Sequence, residues 1–299
     1  IEIPASIKSL ENSIFKDCES LTQITLPQSI KFIGVSAFEN CRTLRQISIP
    51  NSVTLINDRA FKKCSSLSQI TIPSSIINIK DNVFEECKEL AQILIPSSVQ
   101  YLGDYVFKNC RRLTQITINS PPSSIRPNTF DECSSLKKIT GSSNILNRFR
   151  QIGNDEYYNN RSKAIRYYRI AAYSGEIESM YKYGKMLKNG DQISVNKSKA
   201  ARFFKKAADL RHVDSILMYA QMLEKGDGIP ENLRKAGRYY KMAADKDDIR
   251  SMLIYSSMRL NGEGLEINKY EASIYFKRAA DRGSTIGMFN YAKMLQYGE

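Results

Sequence analysis

The chain has 299 residues, of which 42% are hydrophobic and 25% charged, as is ordinary for a globular protein with room for two domains. No apolar run approaches the roughly 18 residues that a membrane-spanning helix needs, which excludes such a span from this sequence. Residues 1–140 hold 16 Lys and Arg against 13 Asp and Glu, a charge of +3, whereas residues 141–299 hold 28 against 18, a charge of +10.

A 23-residue period runs through the first 140 residues. Six cysteines follow it, each with a phenylalanine three residues before and a leucine three residues after: Cys18, Cys41, Cys64, Cys87, Cys110 and Cys133. A fixed period of this length predicts a solenoid whose coils contact only their neighbours. Because free cysteine is a small and usually buried hydrophobe, we predict a ladder of buried thiols, with disulfides between coils as the alternative. Zinc needs paired ligands, and His212 is the only histidine.

The unit Leu21–Thr43 illustrates the structure predicted for each coil. Thr22–Leu26 alternates polar and apolar residues, which indicates a half-buried strand with Ile24 facing inward. A second short extended stretch returns Ile33 to the core, and Ala37–Cys41 predicts a helical turn. One coil cannot bury enough apolar surface to fold alone, so stacking must stabilise the array.

The outward strand positions of this array are candidate protein-binding residues. They are Gln23, Thr25, Gln46, Ser48, Gln69, Thr71, Gln92, Leu94, Gln115, Thr117 and Lys138. One interpretation is a structural ladder in which the amide side chains hydrogen-bond to one another along the stack. The other is a ligand-facing surface of neutral donors and acceptors, and the two are compatible.

The repeated frame I-x-I-P-x-S-[IV]-x-x-I-x-x-x-A-F-x-x-C-x-x-L resembles the BspA-like leucine-rich repeat. The resemblance covers six units over residues 1–140, and the last full unit departs from the frame at Asn119–Pro122. It implies a right-handed solenoid with a parallel sheet on one side, and binding to proteins or to host surfaces as the common use.

A second period, of 36 residues, begins after residue 158. Alanine pairs recur at 171/172, 207/208, 243/244 and 279/280, and Tyr183, Tyr219, Tyr255 and Tyr291 keep the same spacing. Apolar residues at helical spacing predict four helix pairs over residues 159–299. An asparagine precedes each first helix and is the predicted N-cap: Asn160, Asn196, Asn232 and Asn268.

These marks resemble the Sel-one-like repeat, a relative of the tetratricopeptide repeat, whose pattern A-A-x-x-G…S-M-x-x-Y-G-x-M-L-x-x-G stands in Ala171–Gly190. The resemblance implies an adaptor in multiprotein assemblies and no catalysis. Arg211 and Asp247 replace a turn glycine and Gln192 replaces a loop glycine, so we expect those turns to be looser.

A basic stripe follows the first helices and supplies further candidate protein-binding residues. They are Arg166, Arg169, Arg202, Lys205, Arg238 and Lys241, to which we add Arg259, an arginine in an apolar register. The stripe is either a solvated face or a dock for an acidic partner or an anionic surface. Arg259 either extends to solvent or contacts a partner. Nucleic acid is disfavoured as a partner because the tyrosines of this half occupy core-facing positions instead of stacking positions.

Residues 141–158 form a cap or linker between the arrays. Its glycines and serines allow flexing, whereas Ile145, Leu146 and Phe149 would cover the open end of the first array, which we favour.

The sequence contains no phosphate-binding glycine loop, zinc-protease motif or nucleophile elbow. We therefore predict a repeat protein of α+β class, with a parallel-β leucine-rich-repeat solenoid followed by an all-α helix-pair superhelix. We expect no enzyme activity, no cofactor and no metal. The predicted function is a protein–protein interaction adaptor, and the alternative is a cell-surface adhesin that binds host or matrix protein. The compartment stays open between the cytoplasm, which we favour, and the cell surface.

Overall fold

The computed structural model describes residues 1–119, 124–141 and 143–298. The chain divides into two compact units, Ile1–Glu176 and Ile177–Glu299, called unit 1 and unit 2 below. Unit 1 consists of short parallel strands followed by two helices, and unit 2 consists of helices. The predicted fold class, a parallel-β solenoid followed by helical repeats, is confirmed. The sequence departure at Asn119–Pro122 lies, apart from Asn119 itself, outside the described residues.

Eleven strands lie within the described part of unit 1. They are β1 (Ser9–Leu10), β2 (Phe32–Ile33), β3 (Gln46–Ser48), β4 (Leu55–Ile56), β5 (Gln69–Thr71), β6 (Asn78–Ile79), β7 (Gln92–Ile95), β8 (Tyr101–Leu102), β9 (Gln115–Ile118), β10 (Ser124–Ile125) and β11 (Lys138–Gly141).

The strands form parallel ladders along two sides of the array. β1, β2, β4, β6, β8 and β10 form one six-stranded sheet from the second extended stretch of each coil. The strands of the first extended stretch of each coil form a pair, β3–β5, and a triplet, β7–β9–β11. In all three sheets, each residue lies beside the residue 23 positions along the chain, as Gln46 lies beside Gln69. The second extended stretch is therefore confirmed in all six coils, and the first is a strand from Gln46 onward. At Thr22–Leu26 the predicted strand is reduced to isolated bridges of Thr25 to Glu2 and Ser48.

The predicted helical turn at Ala37–Cys41 is wrong. Ser36 and Asn40 have φ values of 55° and 67°, and such left-handed residues interrupt a helix. The N–H groups of Ser36, Phe38 and Asn40 donate instead to carbonyls of the next coil, at 2.8–2.9 Å. The same alternation recurs in every coil up to Asn109, so in these five coils this segment bonds coil to coil as the strands do, whereas in the last coil Glu132 alone keeps a positive φ.

Columns of identical side chains fill the core of unit 1. Successive phenylalanine rings from Phe15 to Phe130 stack with centroids 5.3–5.8 Å apart. The six cysteines are free, and all but the half-buried Cys18 are fully buried. The Sγ atom of Cys64 donates to the carbonyl of Phe38, at 3.1 Å, and the other buried thiols repeat this bond. The predicted thiol ladder is confirmed.

Two helices close the end of this core. They are α1 (Ser143–Glu156) and α2 (Arg161–Ser174), which belong to unit 1. Ile145 and Phe149 of α1 and Tyr167 of α2 are fully buried in the same apolar cluster as the β-coils. The helices approach closely at Gly153, where a Cβ atom would lie 2.8 Å from the ring of Tyr168. The open apolar end of the last coil is thereby covered.

Unit 2 contains seven helices within its described residues. They are α3 (Ile177–Asn189), α4 (Lys197–Asp209), α5 (Val213–Lys225), α6 (Leu233–Ala244), α7 (Ile249–Asn261), α8 (Lys269–Asp281) and α9 (Thr285–Gln296), and each packs against the next. The four predicted asparagine caps are confirmed, in α2 and in α4, α6 and α8, where each side chain accepts a backbone N–H from the first turn.

Three turns keep the glycine geometry without the glycine. Arg211 and Asp247 both have φ of 68°, and Gln192 has φ of 54°. Gly283, at the position of Arg211 and Asp247, has φ of 84°, and Gly228, at the position of Gln192, has φ of 76°. The backbone of the repeat therefore imposes the left-handed conformation on residues that disfavour it.

Candidate functional site

The first candidate surface is the outward face of the strands that come from the first extended stretch of each coil. We call the outward side chains of β3, β5, β7, β9 and β11, with Gln23 and Thr25 of the first coil, the β-face. Its strands alternate, so that the isoleucines point into the core and the polar residues point out. Of the predicted residues, Gln115 and Thr117 are half-buried and the others are exposed.

Two shallow grooves cross the β-face. One of about 390 Å³ runs over the first coils, from Gln23 to Thr71. The other, of about 280 Å³, extends from Gln69 to Thr117. Leu94 lines the second groove with 49% of its surface exposed, and is the one apolar member of its outward row. The strand positions predicted from sequence thus lie together in space.

The amides of the β-face do not form a ladder. Gln115 donates through Nε2 to Oγ1 of Thr140, at 3.0 Å. Among the described residues, the side-chain amides of the other four glutamines have no hydrogen-bond partner: Gln23, Gln46, Gln69 and Gln92. Their donors and acceptors therefore face outward.

The basic residues of α2 contact the last β-coil. Arg166 pairs with Asp131, with Nη1 and Oδ1 2.6 Å apart. Arg169 donates to the carbonyl of Ser134, at 3.2 Å. The equivalent carbonyl of Ser65 accepts a backbone N–H from the next coil, so Arg169 supplies the bond that another coil would make. Both predicted arginines are thus engaged inside unit 1.

The basic residues of α4 differ from each other in their surroundings. Arg202 is exposed and has no side-chain partner among the described residues. Lys205 pairs with Asp209, one turn along the helix, at 2.7 Å. This hydrogen bond raises the pKa of Lys205 above its ordinary value.

The remaining predicted residues meet in one pocket of unit 2, of about 660 Å³, formed by α6, α7 and the loop 262–266. We call it the cationic pocket, and its lining includes Arg234, Arg238, Lys241, Tyr255, Arg259 and Leu265.

One carboxylate, that of Glu271 in α8, joins two of these cations. Lys241 and Arg259 both pair with it, the latter at 2.6 Å. Arg259 also donates through Nε to the hydroxyl of Tyr255, at 3.1 Å. Burial raises the pKa of Glu271, but the hydrogen bonds from Lys241, Tyr255 and Arg259 lower it by more than burial raises it. The pKa of Glu271 therefore lies below its ordinary value. Lys241 has a raised pKa, chiefly because of its hydrogen bond to Glu271.

Sequence reasoning missed Arg234 and Glu271. Arg234 stands where the other repeats have Ser162, Ser198 and Tyr270, and Glu271 stands where they have Lys163, Lys199 and Lys235. Arg259 was recognised because it replaces a leucine. Comparing all positions of the repeat for a change of charge would have found the other two.

Within the described ranges, no three His, Cys, Asp or Glu side chains lie close enough to hold a metal ion together. No described helix has both the length and the apolar character of a membrane span.

Two family models match the chain. The BspA-type leucine-rich repeat region matches residues 1–110 and 54–179. The Sel1 repeat matches residues 177–212, 213–248 and 249–284. Both families are repeat scaffolds that commonly mediate protein–protein interaction and are typical of non-enzymatic proteins.

Several solved structures are similar to parts of the chain. A protective antigen of uropathogenic Escherichia coli with an SLR fold is 21% identical, over 51% of this chain and 34% of that one, with a TM-score of 0.49. A Sel1 repeat protein of Oxalobacter formigenes is 21% identical, over 51% of this chain and 66% of that one, with a TM-score of 0.48. A leucine-rich repeat protein of T. pallidum is 26% identical, over 51% of this chain and 82% of that one, with a TM-score of 0.44.

The chain spans only 34% of the length of the first of these structures. Comparison with curated proteins found no significant match. The match of the first family model extends over residues 1–179, more than half of the sequence. The chain therefore belongs to the BspA-type leucine-rich repeat family, and Sel1 repeats follow over residues 177–284.

Proposed function

We propose that this protein is a non-catalytic adaptor that binds one protein partner through the β-face and another through the basic surface of unit 2. The observation that carries the proposal is the β-face itself, where exposed polar side chains line two grooves and four amides have no partner among the described residues. The amides of these four glutamines make no internal hydrogen bond and are available to another molecule.

The energetics of the β-face favour protein recognition. An intramolecular amide ladder would have to be broken before a partner could bind, whereas free amides exchange only water for the partner. Each such hydrogen bond contributes about 0.5–1.5 kcal/mol net, so a row of several supports specific binding. Leu94 adds exposed apolar area in the middle of the row.

On the helical side, the proposal retains Arg202, Lys205, Arg238, Lys241 and Arg259. Arg166 and Arg169 are left out because their contacts lie within unit 1. No reaction is proposed for any of these groups, because the sequence contains no motif that combines a nucleophile with a base and an orienting group.

The test uses the full chain and two charge-matched variants. Gln69→Glu with Leu94→Glu alters the β-face, and Phe32→Glu with Asn78→Glu places the same charges on exposed positions of the six-stranded sheet. Each form is immobilised on a support and incubated with native lysate at roughly 0.5 M salt, where attraction between surface charges is screened. We expect the wild type and the second variant to retain the same discrete protein and the first variant to lose it. Equal retention by all three would contradict the proposal.

The alternative is a cell-surface adhesin that uses the same β-face. In that case the protein would bind immobilised matrix proteins and capture no discrete protein from the lysate. The same pair of variants would show whether that binding uses the β-face. If only acidic material binds and all of it is lost at high salt, the protein is a binder of anionic surfaces, and the adaptor proposal fails.

A further inference from the structure

The cationic pocket departs from the repeat pattern at three positions that contact one another or line one cavity. Arg234, Arg259 and Glu271 each replace residues of different character in the other repeats. Arg259 and Glu271 pair directly, and Arg234 and Arg259 line the same pocket. The combination is therefore particular to this repeat, whereas the basic stripe occurs in several first helices.

Two arginines of the pocket have no acidic partner among the described residues. Arg234 and Arg238 are both exposed, and they lie one helical turn apart on α6. Like charges at this spacing repel each other and destabilise a helix. On α4, by contrast, Lys205 has Asp209 at the same spacing. An external anion would offset the repulsion between Arg234 and Arg238.

The pocket already binds one carboxylate, that of Glu271, between Lys241 and Arg259. Glu266 also lines the pocket, with its side chain exposed. Four basic groups against these two carboxylates leave a formal excess of two positive charges. That excess equals the charge of the two unpartnered arginines.

The spacing of the two arginines matches that of carboxylates on an extended peptide. Residues four apart on a helix are separated by about 6 Å along its axis. Alternate residues of an extended peptide point to the same side and are about 6.6–6.8 Å apart. Two carboxylates in a Glu-x-Glu arrangement would therefore each meet one guanidinium group, whose paired N–H donors match a carboxylate. Leu265 and Tyr255 offer apolar surface beside them.

We propose that the cationic pocket binds an extended acidic segment of a partner protein, with alternate carboxylates on Arg234 and Arg238. This inference rests on the proposed adaptor function and names the chemistry of its second partner. The carboxylates displace water from exposed guanidinium groups, so binding requires no rearrangement of the Lys241–Glu271–Arg259 cluster.

The test is fluorescence anisotropy of the full chain with a labelled peptide of alternating serine and glutamate. The variant Arg234→Gln with Arg238→Gln is compared with Lys246→Gln and Arg250→Gln, which removes two exposed charges, also four residues apart, from the turn after α6 and the first turn of α7. At roughly 0.1 M salt we expect the first variant to weaken binding about tenfold and the control to bind as the wild type does. A peptide with glutamine in place of glutamate should not bind.

Equal weakening by the two double variants would overturn the proposal, since it would show attraction to charge in general. Absence of peptide binding, or preference for a phosphate-bearing peptide or an oligonucleotide, would also overturn it. The β-face variant Gln69→Glu with Leu94→Glu should bind the peptide normally. If the peptide fails to bind while the lysate protein is still captured through the β-face, only the pocket proposal fails.

Discussion

The ring of Phe149 in α1 lies 5.2 Å from the ring of Tyr167 in α2 and 5.5 Å from that of Phe130 in the last coil. The aromatic column of unit 1 thus continues onto two residues outside the 23-residue repeats. Tyr167 is fully buried, and its hydroxyl donates to the carbonyl of Pro127, at 2.8 Å. Helices α1 and α2 therefore replace the missing neighbour of the last coil.

Removing the Phe149 ring should destabilise the last coils. Phe149→Ala leaves a cavity at a fully buried site, which costs about 3–5 kcal/mol. Hydrogen exchange of the full chain should show faster exchange in β9–β11 and unchanged exchange in α5–α7. The control Phe289→Ala removes a ring that is 68% exposed and should change stability by less than about 0.5 kcal/mol. Unchanged exchange in β9–β11 after Phe149→Ala would mean that α1 does not stabilise the array.

The thiol ladder should be chemically inert in the folded protein. Burial raises the pKa of Cys41 to about 12, with the neighbouring Cys18 adding to the shift. At about pH 8 a maleimide should label Cys18 alone, because only thiolates react and the other thiols are buried. Mass spectrometry after unfolding in denaturant should show all six cysteines labelled. Rapid labelling of two or more in the folded state would contradict this prediction.

Glu271 should make unit 2 sensitive to acid. Its folded pKa lies below the ordinary glutamate value, so its contribution to stability is present above about pH 4.3 and is lost as the pH falls through the folded pKa. Glu271→Gln should therefore be less stable than the wild type at neutral pH and should lose less stability on acidification. Thermal melts between about pH 7 and pH 3 measure this. Glu231→Gln, at an exposed position, should follow the wild type.

Restoring glycine at a left-handed turn should stabilise unit 2. Arg211→Gly removes a side chain from an exposed residue with φ of 68° and should raise the unfolding free energy by about 1 kcal/mol. Gly283→Ala is the reverse change at the equivalent turn, where a Cβ atom would meet no other atom within 4 Å. It should lower stability by a similar amount. Urea unfolding measures the change in unfolding free energy for each variant. Changes of opposite sign would confirm that the backbone conformation is responsible, and changes of the same sign would contradict it.

The failed prediction at Ala37–Cys41 has a simple cause. Phenylalanine and cysteine three residues apart share one face of a helix, but they also share the inner side of this turn. A helix and the observed turn differ in where the backbone N–H groups point, and their direction depends on whether carbonyls of the next coil accept them. Spacing within one coil cannot distinguish them.

The sequence by itself determined the elements whose contacts repeat. The Phe and Cys columns, the outward glutamines and the asparagine caps follow from the residue and its period, because each stacked unit meets its neighbour in the same way. Only the tertiary structure decided which basic residues remain available. Arg166 contacts the last coil, whereas Arg238 faces a pocket, although both occupy one register of the repeat. Likewise Arg259 pairs with Glu271 on another helix. These roles depend on what packs opposite each residue, and a period along the chain does not contain that information.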